Sequence, residues 1–334
     1  MFAEYWTLKE LLIALLFCLL LTIITGYVTI PILKRLKAGQ TILSYVKSHE
    51  KKNGTPTMGG LFFIIPTAII FLIFGGGQSQ ISLVALSVGI AFMIVGFLDD
   101  FIKVRYKKNE GLKAYQKIIF QFAVAIIVGV YCYNNGITRF YVPFVNGEIN
   151  LGIFTIPIVI IILLAITNSV NLTDGLDGLA GQVSCVYLVF LCALIFAQYE
   201  SLKVLYLGAE EYHNLLLLST CLIGGVLGFL LFNVSKARVF MGDTGSLSLG
   251  GFLGAISIFS LNGFFIPLLG IMFVASSISV IVQVAHYKKT KKRVFLMAPL
   301  HHHFQLKGYS ETQIGYVYSL ITAVCGIIAV LSYL

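Results

Sequence analysis

Long apolar runs alternate with short polar segments along the whole chain. Ten runs approach the length of about 20 residues that an α-helix needs to cross a bilayer. No repeat and no linker divides them, so we expect one domain, residues 1–334. The pattern predicts an all-α polytopic membrane protein with about ten transmembrane helices. The predicted spans are 8–33, 58–74, 81–98, 118–134, 153–167, 179–198, 214–232, 247–261, 264–286 and 312–333.

Composition excludes a soluble protein, because 58% of the 334 residues are hydrophobic and only 11% are charged. Of the 23 basic residues, all but Lys9, Arg139 and Lys203 lie in the segments that follow odd-numbered spans. Basic loops stay in the cytoplasm, so these segments are predicted to be cytoplasmic and both termini to lie outside. This asymmetry accounts for most of the +9 net charge, and no nucleic-acid partner is expected.

One outer segment has a turn signal. Asn146 and Gly147 lie between short β-prone stretches within residues 141–151, and Asn-Gly favours a tight hairpin turn. We expect a small extracytoplasmic β-hairpin there.

The five aspartates of the chain all fall on the predicted cytoplasmic side. Asp99 and Asp100 follow the third apolar run, and adjacent carboxylates repel unless a cation lies close. A solvated helix end paired with Lys103 is the simple alternative. Ionisable groups at the edge of a membrane span are functional candidates by default, so we interpret this pair as metal-facing or proton-accepting.

The segment 168–178 contains Asn171, Asp174 and Asp177 but no Lys or Arg. If it is helical, the two aspartates share one face because they are three residues apart. Its glycines allow close approach of backbone N–H groups to a ligand. Recognition of a polar ligand is favoured over a simple polar turn.

Asp243 lies in a Gly-Asp-Thr-Gly-Ser stretch directly before the eighth apolar run. Helix N-termini bind anions such as phosphate, and a carboxylate there also suits a divalent cation. An ordinary N-cap is the alternative, which the other aspartates on the same side make less attractive.

Three consecutive histidines, His301 to His303, occupy the last cytoplasmic segment. Their side chains cannot all point one way, so a zinc site built from them alone is not expected. Contact with phosphate oxygens or proton transfer is the better interpretation.

These segments together offer carboxylates for Mg²⁺, which prefers oxygen ligands, and basic groups for phosphates. They contain no activated Ser or Cys nucleophile. The combination suits phosphoryl transfer, in which positioning and charge neutralisation do most of the catalysis. An acceptor that reaches the site from the bilayer would be a lipid. A secondary transporter is the alternative class, but transporters place acidic groups near the bilayer midplane.

The motifs resemble those of the polyprenyl-phosphate N-acetylhexosamine-1-phosphate transferases over nearly the whole chain. The Thr-Pro-Thr-Met-Gly-Gly and triple-His segments are similar to those of one branch of this family, the enzymes that transfer phospho-MurNAc-pentapeptide. The matching segments are residues 54–60, 99–100, 171–180, 240–246 and 297–304.

The resemblance implies transfer of phospho-MurNAc-pentapeptide from UDP-MurNAc-pentapeptide to undecaprenyl phosphate. The products would be lipid I and UMP, with Mg²⁺ required, in peptidoglycan synthesis at the cytoplasmic face of the bacterial inner membrane. A UDP-GlcNAc donor, used by related transferases, is the alternative. The sequence does not determine the oligomeric state, and a homodimer is one alternative.

The resemblance also implies roles for single residues. Asp243 would bind the metal, and Phe240 would stack on the uracil. His301 and His302 would lie beside the pyrophosphate or sugar. The residues expected to shape the nucleotide and phosphate site are Lys52, Asn171, Asp174 and Asp177, and those expected to face the lipid phosphate are Asp99 and Asp100.

Overall fold

The computed structural model describes residues 8–36, 54–106, 111–145, 147–201, 208–234 and 236–334. Lys52 lies outside these ranges. The described residues form twelve α-helices and one two-stranded sheet. The helices are α1 Leu8–Arg35, α2 Leu61–Ile73, α3 Gln80–Tyr106, α4 Ala114–Asn134, α5 Thr155–Thr173, α6 Leu179–Ser201, α7 Ala209–Asn233, α8 Gly242–Phe259, α9 Ile266–Leu269, α10 Ile271–Thr290, α11 Leu300–Leu306 and α12 Glu311–Tyr333.

Eight of the described helices are long and apolar enough to cross a bilayer: α1, α3, α4, α5, α6, α7, α10 and α12. Two more predicted spans correspond to α2, which has 13 residues, and to α8, which has 18 and begins with polar residues. Thr244 to Phe259 of α8 are all buried, so this helix lies inside the bundle. The predicted all-α polytopic class is confirmed.

Several predicted span boundaries differ from the structure, and the third and ninth spans differ most. Helix α3 does not end at residue 98 but continues to Tyr106, so Asp99 and Asp100 lie within it. The run 264–286 is not one helix, because α9 ends at Leu269 and α10 begins at Ile271. Pro267 in the first turn of α9 and Gly270 after it explain the break, since neither residue favours a helix interior.

Glycines let the helices around α8 approach closely. A Cβ on Gly96 of α3 would lie 2.0 Å from the carbonyl oxygen of Asp243, and one on Gly60 would lie 2.3 Å from Cα of Gly245. Small residues allow such backbone contact between membrane helices. The first turn of α8 is therefore seated against α3, beside Asp99 and Asp100.

A short hairpin connects α4 and α5. Strand β1, Arg139–Tyr141, pairs antiparallel with β2, Glu148–Asn150, with Phe140 opposite Ile149. The hairpin is confirmed, although Asn146 of its turn is outside the described residues. It lies at the opposite end of α4 from Lys117, roughly 25 Å away along the helix. Its extracytoplasmic location stays a prediction.

Candidate active site

Three aspartates converge where α3 meets the start of α8. Asp99 and Asp100 are buried side by side in α3, and Asp243 is the second residue of α8. One carboxylate oxygen from each lies within 4.8 Å of the others. Carboxylates this close repel unless cations neutralise them, so the acidic triad (Asp99, Asp100 and Asp243) needs a positive partner.

Two lysines supply that positive charge. The Nζ atom of Lys103, one turn after Asp99 on α3, lies 2.6 Å from Asp99 Oδ2 and 2.9 Å from Asp243 Oδ2. Lys117 on α4 places its Nζ 2.7 Å from Asp243 Oδ2 and 3.4 Å from Asp99 Oδ1. Both ammonium groups therefore bridge carboxylates of different helices, and both remain partly exposed.

The carboxylates are also fixed by neutral donors. Thr244 donates to Asp100 Oδ2 from its backbone N at 2.9 Å and from its hydroxyl at 2.7 Å. The backbone N of Leu112 donates to Asp99 Oδ1 at 2.8 Å. These hydrogen bonds hold the side chains in place without adding charge.

Asn171 of α5 connects the triad to the segment that follows α5. Its Nδ2 donates to Asp243 Oδ1 at 2.7 Å and to the Ser246 hydroxyl at 2.8 Å. Asp243 is not the N-cap of α8, because Met241 occupies that position. The N-cap alternative is therefore wrong, and the Asp243 side chain is directed at Asn171 and the two lysines.

The segment after α5 is a turn and not a helix, so Asp174 and Asp177 do not share a helical face. Helix α5 ends at Thr173, and Gly178 has a φ of +74°. Burial, together with the carboxylates of Asp243, Asp100 and Asp177, raises the pKa of Asp174 well above its usual value. The negative charges of the triad therefore act on Asp174.

Asp177 connects the turn after α5 with two other segments. Its Oδ2 accepts a hydrogen bond from the backbone N of Ala237 at 2.9 Å, and its own N donates to Glu311 Oε2 at 3.0 Å. The turn after α5, the loop before α8 and the start of α12 are therefore held together at this residue.

The segment that leads into α2 pairs with the loop that carries Phe240. The Phe240 N donates to the Pro56 carbonyl at 2.8 Å, and the Gly59 N donates to the Phe240 carbonyl at 2.9 Å. Pairing on both sides fixes the backbone of Phe240, whose side chain stays partly exposed. An aromatic ring held in this way is available for stacking.

The histidines divide as expected. A Cβ on Gly175 would lie 2.3 Å from Nε2 of His301 and 3.2 Å from Nε2 of His302, so both rings pack against the turn beside Asp174. His303 turns the other way, and its Nδ1 accepts a hydrogen bond from the Leu296 N at 3.1 Å. Only the first two rings face the candidate site.

Comparison with known proteins agrees with this geometry. Residues 81–261, which include the triad, match the family described as glycosyl transferase family 4. Residues 52–64 match phospho-N-acetylmuramoyl-pentapeptide-transferase signature 1, and this signature contains the segment that pairs with Phe240.

Full-length relatives carry the same name. The chain is 42% identical over 328 residues to the phospho-N-acetylmuramoyl-pentapeptide-transferase of Clostridium botulinum, covering 96% of this chain and 98% of the relative. The Clostridium perfringens protein is 43% identical with the same coverages, and that of Thermoanaerobacter sp. is 39% identical over 95% and 96% of the two chains. The chain belongs to the phospho-N-acetylmuramoyl-pentapeptide-transferase family. It is therefore a membrane transferase, and the transporter alternative is wrong.

The structure brings most of the predicted site residues of this family member to one place. Asp99, Asp100, Asp243 and Asn171 meet directly, and His301 and His302 pack on the neighbouring turn. Their individual roles stay predictions, as does that of Lys52.

The sequence interpretation missed two contributions to the site. The sequence predicts Lys103 only as a neutralising partner of Asp99 and Asp100, which its spacing of four residues from Asp99 supports, and does not predict its contact with Asp243. Lys117 had no local signal, because it reaches the triad from a different helix.

Proposed function

We propose that this chain transfers phospho-MurNAc-pentapeptide from UDP-MurNAc-pentapeptide to undecaprenyl phosphate, forming lipid I and UMP. The reaction takes place at the cytoplasmic face of the bacterial inner membrane. The observation that carries the proposal is the acidic triad bridged by Lys103 and Lys117 at the end of the bundle. Such a site suits two anionic substrates, one soluble and one embedded in lipid.

The triad fits Mg²⁺ as the metal. Its three carboxylates are hard oxygen ligands of the kind Mg²⁺ prefers, and Thr244 and Leu112 hold two of them in place. Asp243, aided by Asp99 and Asp100, would hold the ion. Bound there, Mg²⁺ neutralises charge on the pyrophosphate of the donor.

The lysines are suited to the phosphates. In the structure their ammonium groups neutralise Asp99 and Asp243, and a bound divalent cation would replace part of that function. Lys103 and Lys117 are then available to donate hydrogen bonds to phosphate oxygens of the donor and the acceptor. Asn171 keeps Asp243 oriented through its hydrogen bond to Oδ1.

The nucleotide and sugar are assigned to the neighbouring loops. Phe240 stacks on the uracil, and Lys52, Asp174 and Asp177 shape the nucleotide side. His301 and His302 lie beside the pyrophosphate or the sugar. Support comes from the pairing of Phe240 with the signature segment and from the packing of both histidines on Gly175.

The chemistry is a direct displacement. An oxygen of the lipid phosphate attacks the β-phosphorus of the donor, a new P–O–P linkage forms, and the bond to the bridging oxygen breaks so that UMP leaves. A phosphate monoester is largely ionised at neutral pH, so no general base is required. Asp99, held by Lys103 and Leu112, acts by charge and position. Trapping a phosphorylated Asp99 or Asp100 with the donor alone would replace this pathway with a covalent one.

One assay tests the assignment. Detergent-purified protein is incubated with undecaprenyl phosphate and either UDP-MurNAc-pentapeptide or UDP-GlcNAc, with and without Mg²⁺, and UMP is measured. We expect Mg²⁺-dependent UMP release from the MurNAc donor alone. Release from UDP-GlcNAc would support the alternative donor, and no release from either would refute the proposal.

Sidedness needs its own measurement. Lys289 is exposed at the end of α10, and a Lys289→Cys variant offers a thiol there for labelling. We expect a membrane-impermeant maleimide to label this thiol only after the cells are opened. Equal labelling in intact spheroplasts would place this end of the bundle outside.

A further inference from the structure

The last turns of α10 project from the helix bundle. Every residue from 281 to 294 is exposed except Gln283, which is half-buried. The ten helical residues 281–290 extend about 15 Å. We call this part of α10 with the segment that returns from it, residues 281–296, the basic arm.

The exposed surface of the basic arm changes from apolar to basic along its length. Ile281, Val284 and Tyr287 are 66%, 46% and 47% exposed. The basic residues follow at once: Lys288, Lys289, Lys291, Lys292 and Arg293. Apolar turns followed by long basic side chains suit the boundary between acyl chains and headgroups, where lysine and arginine place their charges in the polar layer.

No ion pair among the described residues neutralises the charge of the basic arm. From residue 244 to residue 310 the sequence contains no Asp or Glu. Among the described residues the ion pairs involve Lys103, Lys117 and Arg139, and none of the five basic residues of the arm. Lys291 lies over the ring of Tyr287, and Arg293 donates to the Leu296 carbonyl. The arm is therefore a concentrated positive surface that suits an anionic partner.

The returning half of the basic arm contacts α10 on one side and His303 on the other. Oε1 of Gln283 accepts hydrogen bonds from the N atoms of Val294 and Phe295, each at 3.0 Å, and its Nε2 donates to the Phe295 carbonyl at 3.1 Å. The Leu296 N donates to His303 Nδ1, and the rings of Phe295 and His303 are in edge contact. The position of the arm is thereby linked to the segment of His301 and His302.

We propose that the basic arm docks on the anionic headgroups of the membrane that holds the protein, and that this docking steadies the His301–His303 segment through Gln283. The partner is a lipid surface because the exposed apolar turns lead directly into the basic residues, as a bilayer interface requires. A soluble acidic protein would match the charges but would leave Ile281 and Val284 without an apolar environment.

Hydrogen exchange of the full chain in vesicles tests the docking without any substrate. We expect backbone amides of residues 291–296 to exchange on the order of tenfold more slowly in phosphatidylcholine vesicles containing phosphatidylglycerol than in phosphatidylcholine alone. The difference should disappear in about 1 M salt, where the Debye length falls to about 3 Å. Equal exchange in both membranes would overturn the proposal, and protection by polyglutamate instead of phosphatidylglycerol would assign the arm to an acidic protein.

Matched variants assign the effect to the arm. Lys288→Gln with Lys289→Gln removes two charges from the last turn of α10, and Lys34→Gln with Arg35→Gln removes two from the last turn of α1. The first pair should abolish most of the lipid-dependent protection and the second should preserve it. Equal losses in both would mean that overall charge, and not this arm, attracts the lipid.

Gln283→Leu tests the link to the histidines. This variant should retain lipid-dependent protection near residues 288–293, while residues 301–304 no longer respond to phosphatidylglycerol. An unchanged response at residues 301–304 would refute the role of Gln283. Failure of the proposed transferase reaction would leave these exchange results unaffected, so the two proposals are tested separately.

Discussion

Lys117 and Asp243 are separated by 126 residues in the sequence, yet Lys117 Nζ lies 2.7 Å from Asp243 Oδ2. The contact joins α4 to the first turn of α8 and places a cation against the residue most expected to bind metal. Because Lys117 also lies 3.4 Å from Asp99 Oδ1, one ammonium group serves carboxylates of two helices. A lysine in this position is well placed to exchange a carboxylate partner for a phosphate.

Replacing Lys117 with methionine should therefore impair catalysis. The variant keeps the apolar stem and removes the charge that we assign to phosphate binding. We expect UMP release to fall about 100-fold, the effect of losing one preorganised electrostatic contact. Lys113→Met, at an exposed position just before the same helix, is the matched control and should retain normal turnover. Equal activities in the two variants would remove Lys117 from the site.

Asp243→Asn tests the metal assignment. Asparagine keeps the size of the side chain and an oxygen for Asn171, but its amide replaces the oxygen that accepts from Lys103 and Lys117. We expect turnover to fall about 100-fold or more and Mn²⁺ binding, followed by electron paramagnetic resonance, to weaken. Near-normal activity would mean that the metal site lies elsewhere.

The control for that variant is Glu148→Gln in the β-hairpin, which removes a carboxylate paired with Arg139 at the other end of α4. It should leave turnover and Mn²⁺ binding unchanged. The thermal midpoint in detergent is measured for the unchanged protein, Asp243→Asn and Glu148→Gln. Similar midpoints would show that a loss of activity reflects lost chemistry and not lost folding.

The sequence was sufficient for the helical class and for most of the site. Apolar runs of membrane-spanning length predict the spans. Carboxylates at the edges of such spans cost free energy, which makes them functional candidates. Asp99, Asp100 and Asp243 could be grouped because the distribution of basic residues assigned their segments to one side. Periodicity alone gave no reason for α3 to continue past Leu98, since four of the eight residues 99–106 are charged.

Tertiary packing determined what could not be predicted. The distance between Lys117 and Asp243 depends on how α4 and α8 approach α3. The position of Asp177 relative to Asp174 depends on hydrogen bonds between Asp177 and two residues from distant parts of the chain, Ala237 and Glu311. No local pattern encodes these contacts, so the sequence could not decide whether the segment after Thr173 is helical, the condition on which a shared face of the two aspartates depended.

Phe240→Ala should weaken nucleotide binding more than it slows the reaction. Stacking of an aromatic ring on a base contributes roughly 1–3 kcal/mol, so the dissociation constant of UMP, measured by calorimetry, should rise about 5- to 150-fold. Tyr106→Ala, at the exposed end of α3, is the control and should bind UMP normally. Unchanged UMP affinity with reduced turnover would contradict the stacking role.

Gly96→Ala tests whether the close contact between α3 and α8 builds the site. The added Cβ would lie 2.0 Å from the Asp243 carbonyl oxygen and 2.6 Å from the Thr244 N, and backbone atoms cannot yield as a side chain can. We expect a loss of about 1–3 kcal/mol in stability, as for other overpacked interiors, with a lower thermal midpoint in detergent. Gly77→Ala is the control, because its Cβ would meet only a Leu72 methyl group at 3.5 Å and should be tolerated. If Gly96→Ala were as stable and as active as Gly77→Ala, the first turn of α8 would not need its close contact with α3 to hold Asp243 beside Asp99 and Asp100.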